Sequence, residues 1–181
     1  MFKEIYIDLD GVLADFFSEW KNITGKNWWE LDNNQLAIQK IRDEKNFWIN
    51  LPLLRNSIKL LGILKENEHP YHILSSPLQN DQKCISQKKQ WVKNMLNFYP
   101  PQQVIISSKK EKYATDNLGI PNILIDDFGI NIKKWEKKGG IGIKHKDYKF
   151  MRTKEKLFKL MDYKYQNIPT PPIEALQINK S

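Results

Sequence analysis

Short apolar runs alternate with amphipathic stretches along most of the 181-residue chain. Phe2 to Leu9 reads as a strand rich in isoleucine and tyrosine, closed by Asp10-Gly11, a pair that starts a turn. Tyr71 to Leu74, Gln103 to Ile106, Asn122 to Ile125 and Gly140 to Ile143 read as four more short strands. Helical spacing lies between them. Ser57 to Lys65 carries Ile58, Leu61 and Leu64, and Asp81 to Phe98 carries Ile85, Trp91, Val92, Met95 and Leu96. Lys110 to Leu118 and Asn131 to Lys137 complete the set. Strands that alternate with helices predict an α/β fold: a Rossmann-like parallel sheet with helices on both faces.

One gap breaks the alternation. More than sixty residues separate the first strand from the second, too many for a single crossover helix. The stretch is rich in aromatics (Phe16, Phe17, Trp20, Trp28, Trp29, Phe47, Trp48) and reads as a small helical cap over residues 16–54. Residues 1–15 and 55–163 then form the α/β core. After Asp162 the chain turns polar and gains Pro169, Pro171 and Pro172, so 164–181 reads as an extended or disordered tail. No internal repeat is present.

Composition narrows the class. Forty per cent hydrophobic residues, with six Trp, seven Tyr and eight Phe, supply enough apolar surface for a folded domain. No apolar run approaches the roughly 18–20 residues needed to cross a bilayer. The first ten residues carry Lys3, Glu4, Asp8 and Asp10, which excludes the apolar core of a signal peptide. Cys84 stands alone, so no internal disulfide forms, and a reducing cytoplasmic location is the expectation. The formal charge of +8 attracts phosphates, nucleotides or nucleic acid, although a solvated lysine-rich surface accounts for it equally.

The chemistry gathers at strand ends. In an open parallel sheet the carboxyl ends of the strands converge on one crevice, where ligands bind. Asp8 and Asp10 follow the first strand, Ser75 and Ser76 the second, Lys109, Lys110 and Lys112 the third, and Asp126 and Asp127 the fourth. Up to four carboxylates crowded there repel one another unless a cation sits among them. Mg²⁺ prefers oxygen ligands and shares its shell with substrate phosphates. Serine and lysine groups bind the remaining phosphate oxygens, and a carboxylate can attack phosphorus to give an aspartyl-phosphate. Together these are the parts of a phosphoryl-transfer site.

The string Asp8-Leu-Asp-Gly-Val-Leu-Ala-Asp-Phe16 resembles the first motif of the haloacid dehalogenase superfamily of phosphatases. Ile73-Leu-Ser-Ser-Pro77 resembles the second motif and Ile123-Leu-Ile-Asp-Asp127 the fourth. Within that superfamily the chain looks most like the 5′(3′)-deoxyribonucleotidases of phages and bacteria. Lys45-Asn-Phe-Trp48, Leu51-Pro-Leu53 and Lys89-Gln-Trp-Val92 add to the likeness, which runs from about Phe2 to His145. The resemblance implies that Asp8 is the nucleophile and a Mg²⁺ ligand. It implies that Asp10 is the general acid and base, with its backbone carbonyl in the metal shell. Such an acid needs a pKa raised above about 3.9, which burial beside other carboxylates can supply. Asp126 becomes a direct Mg²⁺ ligand, and Asp127 holds a metal-bound water or the loop. Ser75, where relatives often have threonine, bonds the phosphoryl oxygens, and Ser76 supports substrate or loop.

Among the lysines, Lys110 is the expected phosphate ligand, because it shares a helical face with Tyr113 and Ala114; Lys112 comes second. The resemblance also places Phe16, one of Trp28 or Trp29, and Trp48 around a nucleobase, although these rings serve as well for the cap's own core. Relatives carry a basic residue after the paired aspartates; here Phe128 stands in that place, which bears on substrate preference rather than on phosphoryl chemistry. His69, His72 and His145 lack metal-ligand spacing and read as structural. Gly139-Gly-Ile-Gly142 is short of a dinucleotide fingerprint and begins a strand. The expectation is a phosphomonoesterase acting on a small nucleoside monophosphate, with a homodimer possible. Two rivals stand: a phosphatase of nucleic-acid 3′-phosphate ends, and a nucleotide-binding protein without catalysis.

Overall fold

In the computed structural model, which describes residues 2–30 and 35–166, five short strands form one parallel sheet. They are β1 (Ile5–Ile7), β2 (His72–Ser75), β3 (Gln103–Ile106), β4 (Ile123–Asp126) and β5 (Ile141–Lys144), in the order β3-β2-β1-β4-β5. The three central strands are buried throughout, their apolar residues covered on both faces of the sheet. Side chains alternate across the sheet. Ile5, Ile7, Ile73, Ile123 and Ile125 join the larger core, whereas Tyr6, Leu74 and Leu124 join a smaller one.

The helices are α1 (Phe16–Thr24), α2 (Gln35–Asp43), α3 (Ser57–Glu66), α4 (Cys84–Met95), α5 (Gly129–Lys137) and α6 (Phe150–Gln166). Leu60, Leu61 and Leu64 of α3, Trp91 and Val92 of α4, and Leu157 and Met161 of α6 pack into the larger core. Ile132 and Trp135 of α5 pack into the smaller. This is the α/β architecture expected from the alternation. Three particulars differ. The helix expected over Lys110 to Leu118 is only a 3₁₀ turn, Lys110–Tyr113, because Gly119 and Pro121 follow at once and Asp116 turns the chain by accepting the Leu118 and Ile120 amides. The apolar residues Ile58 and Ile85, expected on buried helix faces, are exposed. Helix α6 continues to Gln166, into the stretch expected to be tail; residues 167–181 lie outside the described residues.

The segment between β1 and β2 contains α1, the 3₁₀ turn Trp28–Glu30, α2 and further turns. Asp15 caps α1 by accepting the Ser18 amide, which explains the last carboxylate of the Asp8–Phe16 string. The two ends of the segment are tied together: Asp15 N–H donates to Pro52, and both Leu54 N–H and the Ser57 hydroxyl donate to the Leu13 carbonyl. Phe16, Trp20, Phe47 and Trp48 are all buried in the larger core. Among the described residues no helix is long and apolar enough to cross a membrane.

The sheet order fixes where a ligand can bind. From β1 the chain steps outward through β2 and β3, then returns to the other side of β1 for β4 and β5. The reversal lies between β1 and β4, and the carboxyl ends of those strands flank the crevice it opens.

Candidate active site

Asp8 directly follows β1, and Asp126 ends β4, so the parallel register sets them side by side at the reversal. The Asp8 amide donates to the Ile125 carbonyl at 3.0 Å. Between the two carboxylates lies Lys110. Its Nζ is 2.7 Å from Asp126 Oδ2 and 2.9 Å from Asp8 Oδ1, and the lysine is 2% exposed. Burial opposes its charge, but Asp8 and Asp126 outweigh that and hold the ammonium above its ordinary pKa. Of the three candidate lysines only Lys110 turns inward; Lys109 and Lys112 are exposed.

Asp126 is held on every side. Its Oδ1 accepts the Phe128 amide at 2.7 Å, and Oδ2 accepts Asn131 Nδ2 at 2.9 Å as well as Lys110. Asp8 Oδ1 accepts the Leu9 amide at 2.8 Å in addition to Lys110, while Oδ2 accepts none among the described residues. Asp127 completes the group: carboxylate oxygens of Asp8, Asp126 and Asp127 lie within 4.8 Å of one another, and all three residues are buried. Burial, then Asp8, then Asp126 push Asp127 up to about 7, with Lys146 3.7 Å away opposing. Asp126 is raised by burial and by Asp8, against Lys110.

A second group adjoins the first. Asp10 lies two residues beyond Asp8, on a turn in which Leu9 accepts the amides of Val12, Leu13 and Ala14. Gly11 makes that turn possible. Its φ is +74°, and an added Cβ would meet Phe17 at 2.6 Å and the Asp127 carboxyl at 2.9 Å. Gly11→Ala is therefore expected to lower stability by about 1–3 kcal/mol and to displace Asp127; thermal melting with and without Mg²⁺ checks both effects.

Lys88 of α4 is the residue that sequence reasoning missed. It is 1% exposed, and its Nζ reaches Asp10 Oδ2 at 2.6 Å, the Ser76 carbonyl at 2.8 Å and Ser75 Oγ at 3.1 Å. It also lies 4.6 Å from the centroid of the Trp48 ring. A signal for it existed: Cys84, Lys88, Trp91 and Val92 share one face at helical spacing, so a lysine stands in the buried stripe of α4. Asp10 is raised by burial, against the pull of Lys88, and its Oδ1 is buried without a hydrogen-bond partner.

Ser75, fully buried, gives its hydroxyl to this group; Ser76, partly buried, is 3.5 Å from the Ser107 carbonyl. Phe16 and Trp48 are brought to the same region but not as an open platform. They stack on each other at 5.7 Å and 7°, with Phe17, Trp20, Trp28 and Phe47 around Phe16, and Trp48 Nε1 donates to Asp81 at 2.7 Å. The expected base-stacking rings thus pack against the protein itself; Trp28 is half-buried and Trp29 faces outward at 73% exposure.

Four carboxyls crowd against two buried lysines and the half-exposed Lys146, and burial draws Asp10, Asp126 and Asp127 toward their protonated forms. The donor set is all oxygen, which fits Mg²⁺. Asp8, Asp126 and Asp127 are the residues that would hold it. Because a cation must displace the proton that Asp127 keeps below about pH 7, Mg²⁺ affinity is expected to fall roughly tenfold per pH unit below that point. Calorimetry in buffers of different ionisation enthalpy should show proton release at pH 6.5 that fades by pH 8.5; no release at either pH would remove Asp127 from the binding group.

The same group sets a linkage in the metal-free protein. Its folded pKa lies above the unfolded value, so its contribution to stability is full below about pH 4 and is lost as pH rises through about 7. His145, buried against Thr153 Oγ1 and pushed down to about 4, acts with the opposite sign: its contribution is full above about 6.5 and is lost as pH falls through about 4.

No family model matches the chain, and no curated protein matches it in sequence. Among solved structures, a hydrolase from Streptococcus pneumoniae TIGR4 superposes with a TM-score of 0.54 at 16% identity, over 90% of this chain and 100% of that one. A dehalogenase superposes with a TM-score of 0.53 at 14% identity, over 82% of this chain and 89% of that one. At these identities the likeness is one of fold, and it agrees with the α/β plan described above.

Proposed function

We propose that the chain is a Mg²⁺-dependent phosphomonoesterase of the haloacid dehalogenase type, acting on nucleoside monophosphates through an aspartyl-phosphate at Asp8. The observation that carries this reading is the buried group of Asp8, Asp126 and Asp127, with Lys110 between the first two and Asp10 two residues from Asp8. The order of the sequence motifs supports the same chemistry, and the resemblance to deoxyribonucleotidases supports the nucleotide as substrate.

Each residue then has a task that its surroundings suit. Asp8 Oδ1 is engaged by Leu9 and Lys110, so Oδ2 is the atom available to attack phosphorus. As the new O–P bond forms, the bond from phosphorus to the leaving oxygen breaks, and Asp10 gives that oxygen a proton. Asp10 Oδ2 is taken up by Lys88, which assigns the proton to the partnerless Oδ1. A buried carboxyl oxygen without a donor is where a proton is cheapest to hold. In the second half Asp10 takes a proton from water, the water oxygen attacks phosphorus, and Asp8 leaves as carboxylate with release of inorganic phosphate. When bound, Mg²⁺ supplies charge neutralisation to the phosphoryl oxygens. Lys110 and Ser75 hold the phosphoryl group, with Lys88 keeping Asp10 and Ser75 in place.

The test is phosphate release from nucleoside 5′- and 3′-monophosphates, sugar phosphates and p-nitrophenyl phosphate, with Mg²⁺ or EDTA. Metal-dependent turnover concentrated on deoxynucleotides supports the whole reading. Turnover on sugar phosphates alone removes the nucleotide from it. A folded protein that turns over none of these in Mg²⁺ defeats it.

A further inference from the structure

Outside the crevice, the first turn of α3 and the chain entering α6 enclose a groove of about 630 Å³. Four cations line it, Arg55 and Lys59 from one wall and Lys149 and Arg152 from the other. The acidic side chain facing them, Asp147, is already engaged: its Oδ1 accepts the Asn56 amide at 3.0 Å, and its carbonyl accepts Asn56 Nδ2 at 3.0 Å. Those two bonds cross from wall to wall and fix the groove's shape before any ligand arrives. Tyr148 stands on the groove 77% exposed, with Lys149 Nζ 5.3 Å from its ring centroid. Neither its exposure nor its place is explained by packing in the core.

Both walls are anchored to the crevice. Lys146, next to Asp147, reaches Asp127 at 3.7 Å, and the His145 amide donates to the Asp126 carbonyl at 2.9 Å. On the other side Leu54, next to Arg55, is bonded to Leu13 in the loop that follows Asp8. The groove therefore starts one residue from side chains and backbone that shape the catalytic rim.

We infer that this groove binds a single-stranded oligonucleotide and leads its phosphorylated end to the crevice, an inference that rests on the phosphatase reading for the second part only. A terminal phosphate is already provided for by buried Lys110 and the oxygen-seeking cation site, so four further cations suit phosphates further along a chain. A row of basic side chains beside an exposed aromatic ring is the combination that holds single strands, with charge on the backbone and the ring under a base. The chain's surplus of +8 gives such a strand a long-range attraction as well.

The experiment uses the full chain in EDTA, so that binding is read without turnover. Fluorescence anisotropy of a fluorescein-labelled oligothymidylate should show binding whose log–log salt slope is about −2 to −3, from about 0.7 per neutralised phosphate. Arg55→Glu with Arg152→Glu, both at exposed positions, should weaken binding about tenfold or more and flatten that slope. Tyr148→Ala should weaken it without changing the slope. With Mg²⁺, the double variant should lose kcat/KM about tenfold on a terminally phosphorylated oligonucleotide while hydrolysis of p-nitrophenyl phosphate is kept. No binding by the wild type, or equal binding by a double variant with an unchanged melting temperature, overturns the inference; so does a preference of the groove for anionic vesicles or an acidic peptide over the strand. If p-nitrophenyl phosphate is not hydrolysed yet groove-dependent strand binding persists, the phosphatase reading fails and the groove stands as a binding site.

Discussion

Asp8→Asn is expected to stop phosphate release, by a factor on the order of 10⁴ or more, while leaving the fold intact. The amide has the shape of the carboxylate, and its carbonyl oxygen still accepts from the Leu9 amide and from Lys110, so the local hydrogen bonds survive. What disappears is the nucleophile: a neutral amide oxygen does not form a stable bond to phosphorus. The substitution also removes one of the charges that raise Asp126 and Asp127, so both carboxyls should titrate lower in the variant. Steady-state rates with circular dichroism melting check the first point, and trapping of an acid-stable, base-labile phosphoprotein from wild type but not variant checks the intermediate. Residual activity above about 1% would move the nucleophile elsewhere, with Asp10 the next candidate.

Lys110→Met should be the more damaging change to the fold. Methionine matches the lysine stem in volume, but the ammonium between Asp8 and Asp126 is lost, and both carboxylates stay buried. Removing one partner from such a group costs about 3–5 kcal/mol, because the remaining charges are left without compensation. The deficit should depend on pH. Without Lys110 the Asp126 carboxyl is held still further above its unfolded value, so the variant regains stability as pH falls and Asp126 takes up a proton, and is weakest at high pH. Mg²⁺ should restore part of the loss at pH 8, since a divalent cation replaces the missing charge. Melting temperatures at pH 5.5 and pH 8, with EDTA or Mg²⁺, give the four numbers needed. Activity should fall by about 10²–10³ with the loss of a cation at the phosphoryl group. An unchanged melting temperature in EDTA at pH 8 together with full activity would make Lys110 a bystander.

How much of this was legible beforehand differs by residue. The strands at Gln103–Ile106, on the sheet edge, and Ile123–Asp126, in its centre, were visible because parallel strands are short apolar runs bounded by turn residues. Inward-facing Lys110 was legible because Tyr113 and Ala114 stand three and four residues on and mark the buried side of the turn. That reasoning held although the element is a 3₁₀ turn, since positions three apart still fall on one side. Lys88 was easily passed over, because lysine on a helix is solvated by default and its one local mark is its place on the same face as Cys84, Trp91 and Val92. Only the meeting of α4 with Asp10 and the end of β2 makes its burial favourable. Ile58 and Ile85 mislead in the reverse direction: apolar residues at helical spacing are not bound to face the core when a neighbouring face already fills it.

The aromatic residues between β1 and β2 show the same division. Their number announces a hydrophobic unit, but sequence cannot say whether a ring faces a ligand or another ring. Packing decides it: Phe16 and Trp48 stack together and Trp48 is fastened to Asp81 and Lys88, which leaves no gap between them for a base.

By itself the sequence determined the alternation of strand and helix, the Asp-x-Asp turn after β1 and the paired aspartates after β4, because these follow from local periodicity and turn chemistry within a few residues. Tertiary structure alone decided the strand order, and with it that Asp8 and Asp126 are neighbours bridged by Lys110, while Lys88 reaches Asp10 and the end of β2. It alone placed Arg55 and Lys59 opposite Lys149 and Arg152, some ninety residues away in the chain. Long-range pairing is selected by the burial of whole faces and the balance of charges brought together, quantities that no short window of sequence contains.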